Sequence, residues 1–197
     1  LSLRWFKDSV YGGDVGYRQL SEEAALVPPG SRGVTFLPYL TGGYGEETDA
    51  TGAFLNMTLD TDRGTLWRAV LEAIGYDYIG VTDEYRAAGV NLDRITITEG
   101  GSVDDVWNQM KADMIGSEAV VMKTRGGAVL TDCAMAAFAV GDSDDLLGML
   151  SDAAEVDRRF SPDSDSTALY RDMYGRRRLV MRDMMPVFGT LRDMAGQ

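Results

Sequence analysis

The stretch Ile95-Thr-Ile-Thr-Glu-Gly-Gly-Ser-Val-Asp-Asp-Val-Trp-Asn-Gln109 constrains this chain more than any other. It reads as a buried strand, a tight Gly-Gly turn and a capped amphipathic helix. Such a junction sets backbone N–H groups and a flat, side-chain-free surface at the carboxyl end of a strand, where open α/β sheets take up small ligands. The surrounding segments alternate in the same way. Hydrophobic periodicity predicts helices over 3–10 and 17–26, the second ended by Pro28-Pro29-Gly30, then strands over 33–38 and 52–58. A long helix is expected over 61–89, with Leu66, Val70, Ile74 and Tyr78 as its core stripe. Residues 94–98 read as a central parallel strand, since β-branched side chains fall on both faces. A helix over 103–115 follows, with Gly116 just past its end, then a strand over 119–122 and helices over 129–140, 146–154 and 166–194. Strands separated by helices imply an α/β domain.

Composition narrows the function. The 197 residues carry a net charge of −12 and only three lysines, Lys7, Lys111 and Lys123. That balance argues against nucleic acid and anionic membranes as partners, since both demand Lys/Arg surfaces. No apolar run is long enough to cross a bilayer. Histidine is absent, which removes imidazole bases and every His-containing metal site. Cys133 is the single cysteine; its Ala-rich surroundings predict a buried structural thiol, and one free thiol suits a reducing cytoplasm. Leu1 rather than Met is expected of a processed chain or of an excerpt from a longer one. The basic run Arg176-Arg-Arg178 reads as a set of charge partners for nearby acids or as a phosphate site.

At the glycine turn, Ser102 is placed to cap the following helix, with Asp105 three residues on as the reciprocal acid. Asp104 and Asp105 then lie in the first helical turn, where acids complement the helix dipole. Two carboxylates at that end disfavour a docked phosphate, and the Gly-x4-Gly-Lys-Ser/Thr spacing is missing. An uncharged planar group such as adenine fits better, while a plain strand-to-helix turn accounts for the local sequence as well. Trp107 and Met110 are expected to bury against the sheet. Gly126-Gly127 opens a second turn, readable as the other wall of one crevice or as a connection. The polar loop 39–51 is either a binding loop or a surface hairpin.

Taken in order, the segments resemble the carboxy-terminal part of the FGGY carbohydrate kinases, and most closely the xylulokinases. Leu3-Arg-Trp-Phe-Lys-Asp8 is similar to that family's entry helix, and Phe36-Leu-Pro-Tyr-Leu-Thr-Gly42 to its Pro-Tyr-Leu-Ser-Gly segment. Gly52-Ala-Phe54 matches a Gly-x-Phe strand, and Arg68-Ala-Val-Leu-Glu72 a helix of the same sequence. Gly100-Gly-Ser-x4-Trp107-Asn-Gln109 resembles the adenosine motif, and Tyr170 and Tyr174 fit a terminal Tyr-x3-Tyr helix. The chain departs from the pattern at Gly43-Tyr44, where the family has Glu-Arg, and at Glu99 and Asp132, where it has glycine.

The resemblance implies an actin-like ATPase, ribonuclease H-like α/β fold, spanning residues 1–197 as one carboxy-terminal, nucleotide-side domain that is incomplete at its start. It implies ATP and Mg²⁺ as cofactors and a sugar hydroxyl as phosphoryl acceptor, a xylulose-like ketose being favoured. Gly100, Gly101, Ser102, Asp105 and Gln109 would line the adenosine pocket. The amino-terminal kinase domain, with the catalytic aspartate, lies outside this sequence, so no residue here is nominated as catalytic and the fragment alone is expected to be inactive. Apolar surface normally covered by that domain would favour a homodimer. The rival reading is a non-catalytic actin-like interaction module that uses the acidic stretch 142–165 and the terminal helix.

Overall fold

The computed structural model describes residues 1–43, 49–124, 127–153 and 155–196. Most of the acidic part of the 39–51 loop, Tyr44 and Gly126 fall outside these residues. The amino-terminal helix α1 (Ser2–Trp5) continues through a π-helical turn at Phe6–Val10. Helix α2 (Tyr17–Ala25) leads to a two-stranded antiparallel ribbon, β1 (Thr35–Leu37) and β2 (Ala53–Leu55), in which Phe36 opposes Phe54.

Helix α3 (Arg63–Ala87) forms the spine. Asp62 caps it by accepting the Thr65 N–H at 2.7 Å, which satisfies one of the donors that a helix start leaves free. The buried stripe is not the expected one: Tyr78 is exposed, and Leu66 and Ile74 are half-buried. Instead Trp67, Val70, Leu71, Tyr76 and Ile79 are buried. The helix is covered on more than one side, by α2, by β1 and by the helix that follows, so its apolar arc is wider than a single four-residue row.

A polar network runs through this core. Glu72 accepts hydrogen bonds from the Gly30 N–H (2.8 Å), the Ser31 hydroxyl (2.8 Å), Arg68 Nε (3.0 Å) and the Tyr170 hydroxyl (3.1 Å). Arg68 also donates to the Ala24 carbonyl (3.2 Å) and to the Tyr170 oxygen (2.8 Å). Both ends of the ion pair are buried. The Arg68-x3-Glu72 spacing brings the pair onto one helix face, one turn apart.

The second sheet has the order β3–β4–β5. Strand β3 (Arg94–Ile97) runs parallel to β4 (Glu118–Met122), and β5 (Val156–Phe160) runs antiparallel to β4. The strand at 94–97 is therefore an edge strand, not the central one, with Arg94 and Thr96 exposed and Ile97 buried. The centre belongs to β4, whose Ala119-Val-Val121 run is buried. Strand β5 has no counterpart in the expectations from sequence. Its Val-Asp-Arg-Arg-Phe alternation is that of an edge strand half in water. Helix α4 (Asp105–Ile115) joins β3 to β4 and ends at Gly116, whose φ of +70° suits glycine and whose N–H bonds the Ala112 carbonyl at 2.8 Å.

Helices α5 (Gly127–Val140) and α6 (Leu146–Ala153) pack mainly on each other. Cys133 is exposed on α5, against the expectation of a buried thiol. Ala134 is the one residue of that helix found in the core, so the Ala-rich run does not make an inner helix here. Helix α7 (Ser164–Met194) begins two residues earlier than expected because Asp163 caps it, accepting the Ser166 N–H at 2.8 Å. Its first half lays Tyr170 against α3. Its second half packs Met181 and Phe188 on Leu37, Tyr39 and Ala50.

Replacing Glu72 by alanine is expected to destabilise the chain by about 3–5 kcal/mol, because it leaves the Arg68 guanidinium buried without its acid. The double variant Arg68→Met/Glu72→Leu should lose much less. Urea unfolding of both measures the difference; a single-variant loss no larger than that of the double would contradict this account.

Candidate functional site: the glycine turn after β3

Thr98 leaves β3 in extended conformation and residues Glu99–Ser102 close one 3-10 turn before α4. Neither Gly100 nor Gly101 has a positive φ. The backbone therefore does not require glycine here, and what glycine contributes is space. Among the described residues, and apart from its chain neighbours, a Cβ built on Gly100 would meet no atom within 4 Å, and one on Gly101 would meet only Lys111 Nζ, at 3.9 Å. The turn thus presents a bare, open face.

Its inner side is held by cationic and amide donors. Lys111 Nζ donates to the Gly101 carbonyl at 2.6 Å and to Asn108 Oδ1 at 2.9 Å. The Asn108 amide and Arg158 donate to the Ser102 carbonyl at 2.9 and 3.0 Å. Arg158 also pairs with Asp105. Lys111 lies 5.2 Å over the Trp107 ring, which stacks in turn on Tyr78 of α3. Trp107 is therefore buried against α3 and the aromatic core around it, where burial on the sheet was expected.

The five residues singled out from sequence separate. Gly100, Gly101, Ser102 and Asp105 come together at the turn. The Ser102 side chain is buried, and it is Asp104 that caps α4, accepting the Trp107 N–H at 3.1 Å while Ser21 donates to its other oxygen. The 3-10 turn consumes Ser102, which moves the cap two residues on. Gln109 faces elsewhere: its amide donates to Asp113 Oδ1 and to the Ser161 carbonyl, both at 2.8 Å, tying α4 to the link between β5 and α7. Asn108, Lys111 and Arg158 were missed. The first two stand three residues apart on α4, a spacing visible in sequence; Arg158 belongs to a strand that was not expected. Beside the turn, Asp104 and Asp105 border a cleft of about 400 Å³ shared with Tyr17 and Ser21 of α2.

Desolvation sets the chemistry of Lys111. Burial pushes its ammonium down to about 8, with the Asp104 carboxylate pulling the other way. Among the described residues, no three His, Cys, Asp or Glu side chains gather to hold a metal ion, and no helix is long and apolar enough to cross a membrane.

The mixed α/β domain, with its glycine turn past a parallel strand, has the actin-like fold of solved sugar kinases. A ligand-bound xylulose kinase from Lactobacillus acidophilus superposes with a TM-score of 0.80 over 96% of this chain and 39% of its own, at 22% identity. Residues 9–140 match the C-terminal domain of the FGGY family of carbohydrate kinases, and the chain belongs to that family. A gluconokinase from Bacillus licheniformis is 30% identical over 186 residues, covering 87% of this chain and 36% of its own length. A xylulose kinase from Bacillus subtilis (strain 168) is 24% identical over 175 residues, covering 88% and 35%. The chain thus spans about a third of the length of these relatives.

The depressed Lys111 ammonium predicts a pH dependence of stability. The folded chain holds this proton less tightly than the unfolded chain, so the penalty of the buried charge is present in full below pH 8 and is relieved as pH rises from about 8 toward 10.5. Between pH 7.5 and 9.5 the parent should gain roughly 1–2 kcal/mol relative to Lys111→Met. Urea midpoints of the two proteins across that range check it, and parallel profiles would refute a buried ammonium.

Proposed function

We propose that this chain is the nucleotide-side portion of an ATP-dependent carbohydrate kinase and that Gly100 and Gly101 form the platform for the adenine ring. The observation that carries this reading is the open Gly100 position, where among the described residues an added Cβ meets nothing within 4 Å beyond its chain neighbours, next to the Gly101 and Ser102 carbonyls that Lys111, Asn108 and Arg158 hold. On this reading a ring lies flat over the glycines themselves. Ser102 contributes its backbone, and Asp105 stands at the rim. Gln109, engaged with Asp113 and Ser161, supports α4 from behind and does not touch the ring.

The acceptor is a sugar or sugar-acid hydroxyl, as the names of the gluconokinase and xylulose kinase relatives suggest. A xylulose-like ketose is favoured by the Pro38-Tyr-Leu-Thr-Gly42 segment. Phosphoryl transfer of this kind depends on positioning and charge stabilisation, and the catalytic base and sugar contacts come from a kinase domain outside this sequence. The described residues do not fit Mg²⁺, since they gather no acidic set for it; its ligands would be the nucleotide phosphates, water and groups elsewhere. The assembled enzyme would work in the cytoplasm, where its nucleotide is made.

Gly100→Leu tests the platform. The position has room for a side chain and an ordinary φ, so the variant should keep the parent's thermal midpoint within a few degrees while covering the ring's seat. ADP titration followed by Trp107 fluorescence and by the Gly100 and Gly101 amide resonances should show saturable binding in the parent and at least about tenfold weaker binding in the variant. Equal affinity in the two proteins would remove the glycine turn from the site.

A further inference from the structure

The Arg176-Arg177-Arg178 run is not used by the site above, and its three side chains part company. Arg176 is exposed and pairs with Asp172 at 2.8 Å, one turn back on α7; Arg178 is exposed. Arg177 turns inward, is only 8% exposed, and lies 5.5 Å over the ring of Tyr76. Its Nε and Nη2 have no hydrogen-bond partner. These two nitrogens form one edge of the guanidinium, the edge that grips a carboxylate with two parallel hydrogen bonds. Arg68, in the same core, has every such demand met. A buried donor without an acceptor costs on the order of 1–3 kcal/mol, and more when charged, so an unmet pair of this kind marks a place where an acceptor belongs.

Arg177 lines a partly open pocket of about 170 Å³ between the start of β1, α3 and α7. The rest of the wall is largely apolar: Val34, Phe36, Ala69, Ala73 and Met173. Glu72 also borders it, but four donors, Arg68 among them, already occupy its oxygens. Met173 stands one turn before Arg177 on the same face of α7 and reaches to Gly30, where a Cβ would collide with its methyl. It is an unbranched, adaptable side chain, and the guanidinium edge itself is closed to water, so a ligand would reach it by moving such a neighbour aside.

We infer that this cavity is a binding site for a small organic acid with one carboxylate and an apolar body, the carboxylate seated on Arg177 Nε and Nη2 and the body on Val34, Phe36 and Ala73. The apolar wall excludes a sugar acid and disfavours inorganic phosphate, which needs donors on every side. The site is separate from the glycine turn and does not depend on the kinase reading.

Benzoate serves as the probe, titrated calorimetrically into the whole chain, with benzamide and inorganic phosphate as comparisons. Benzoate should bind saturably and raise the thermal midpoint. Benzamide, which has the ring without the charge, should bind at least about tenfold more weakly, as should benzoate to Arg177→Lys, which keeps a charge and loses the paired donors. Arg177→Met should fold with a thermal midpoint at or above the parent's, because it removes an unmatched buried charge, and should lose benzoate binding. Met173→Ala should speed benzoate association. Gly100→Leu should leave benzoate binding untouched, so failure here and failure of the nucleotide platform are told apart. Absence of benzoate binding, equal binding by Arg177→Lys, or Arg177-dependent binding of phosphate in preference to benzoate would each overturn the assignment.

Discussion

The buried pair of Arg68 and Glu72 is the constraint on which the rest of this structure depends. Taking two charges out of water is expensive, and only good geometry with further hydrogen bonds offsets it. Here the further bonds come from Ala24 at the end of α2, from Gly30 and Ser31 in the loop before β1, and from Tyr170 on α7. Three stretches far apart in sequence, 24–31, α3 and the start of α7, are thus required to meet at one point. The loop shows the force of that requirement. Gly30 has φ +87°, and Ser31 and Arg32 follow with φ near +50°, a conformation that side chains resist. Such residues persist where the surroundings over-determine them. The Gly30 N–H and the Ser31 hydroxyl are both committed to Glu72, which fixes the loop and with it the direction in which β1 leaves.

That spine also positions the glycine turn. Helix α4 packs on α3 through Trp107 and Met110, and Lys111 reaches from α4 back to the Gly101 carbonyl. The turn is therefore braced by the helix that follows it, and across the sheet by Arg158 of β5. The opposite solution holds at α5 and α6, which pack on each other and leave Val129, Phe138, Val140 and Leu147 exposed. Packing that is local in sequence gives a helical pair without anchoring it to the core.

Much of this was legible in the residues, for identifiable reasons. Helix ends marked by Pro28-Pro29-Gly30 and Gly116 stand where expected, because a missing N–H and a positive φ act locally. The run Arg68-Ala-Val-Leu-Glu72 was recognised as a pattern, and the structure supplies its physics: one helical turn brings the pair together, and the partners that justify burial lie 41 or more residues away. What failed depends on such distant partners. Strand β5 is five residues with three charges, invisible until β4 offers it a ladder. The cap moved from Ser102 to Asp104 because the 3-10 turn takes up Ser102, and Ser21, on α2, holds the other oxygen of Asp104. Cys133 is exposed because nothing in the described chain covers that face of α5. Periodicity named α3 but misplaced its buried stripe, since neighbours on several sides widen the arc.

The same electrostatics bear on how a nucleotide would lie on the proposed platform. The positive end of a helix is an attractive seat for phosphate, but α4 has spent that end on its own acids: Asp104 caps it and Asp105 follows in the first turn. Asp105 is matched by Arg158 and Asp104 by Ser21, so neither needs a ligand cation to be content there. A base over Gly100 meets little net field, whereas phosphates placed toward α4 would meet two carboxylates at close range. On the proposed reading the phosphate chain therefore runs away from α4, and the acids at its start set the direction of the nucleotide as firmly as the glycines set its seat.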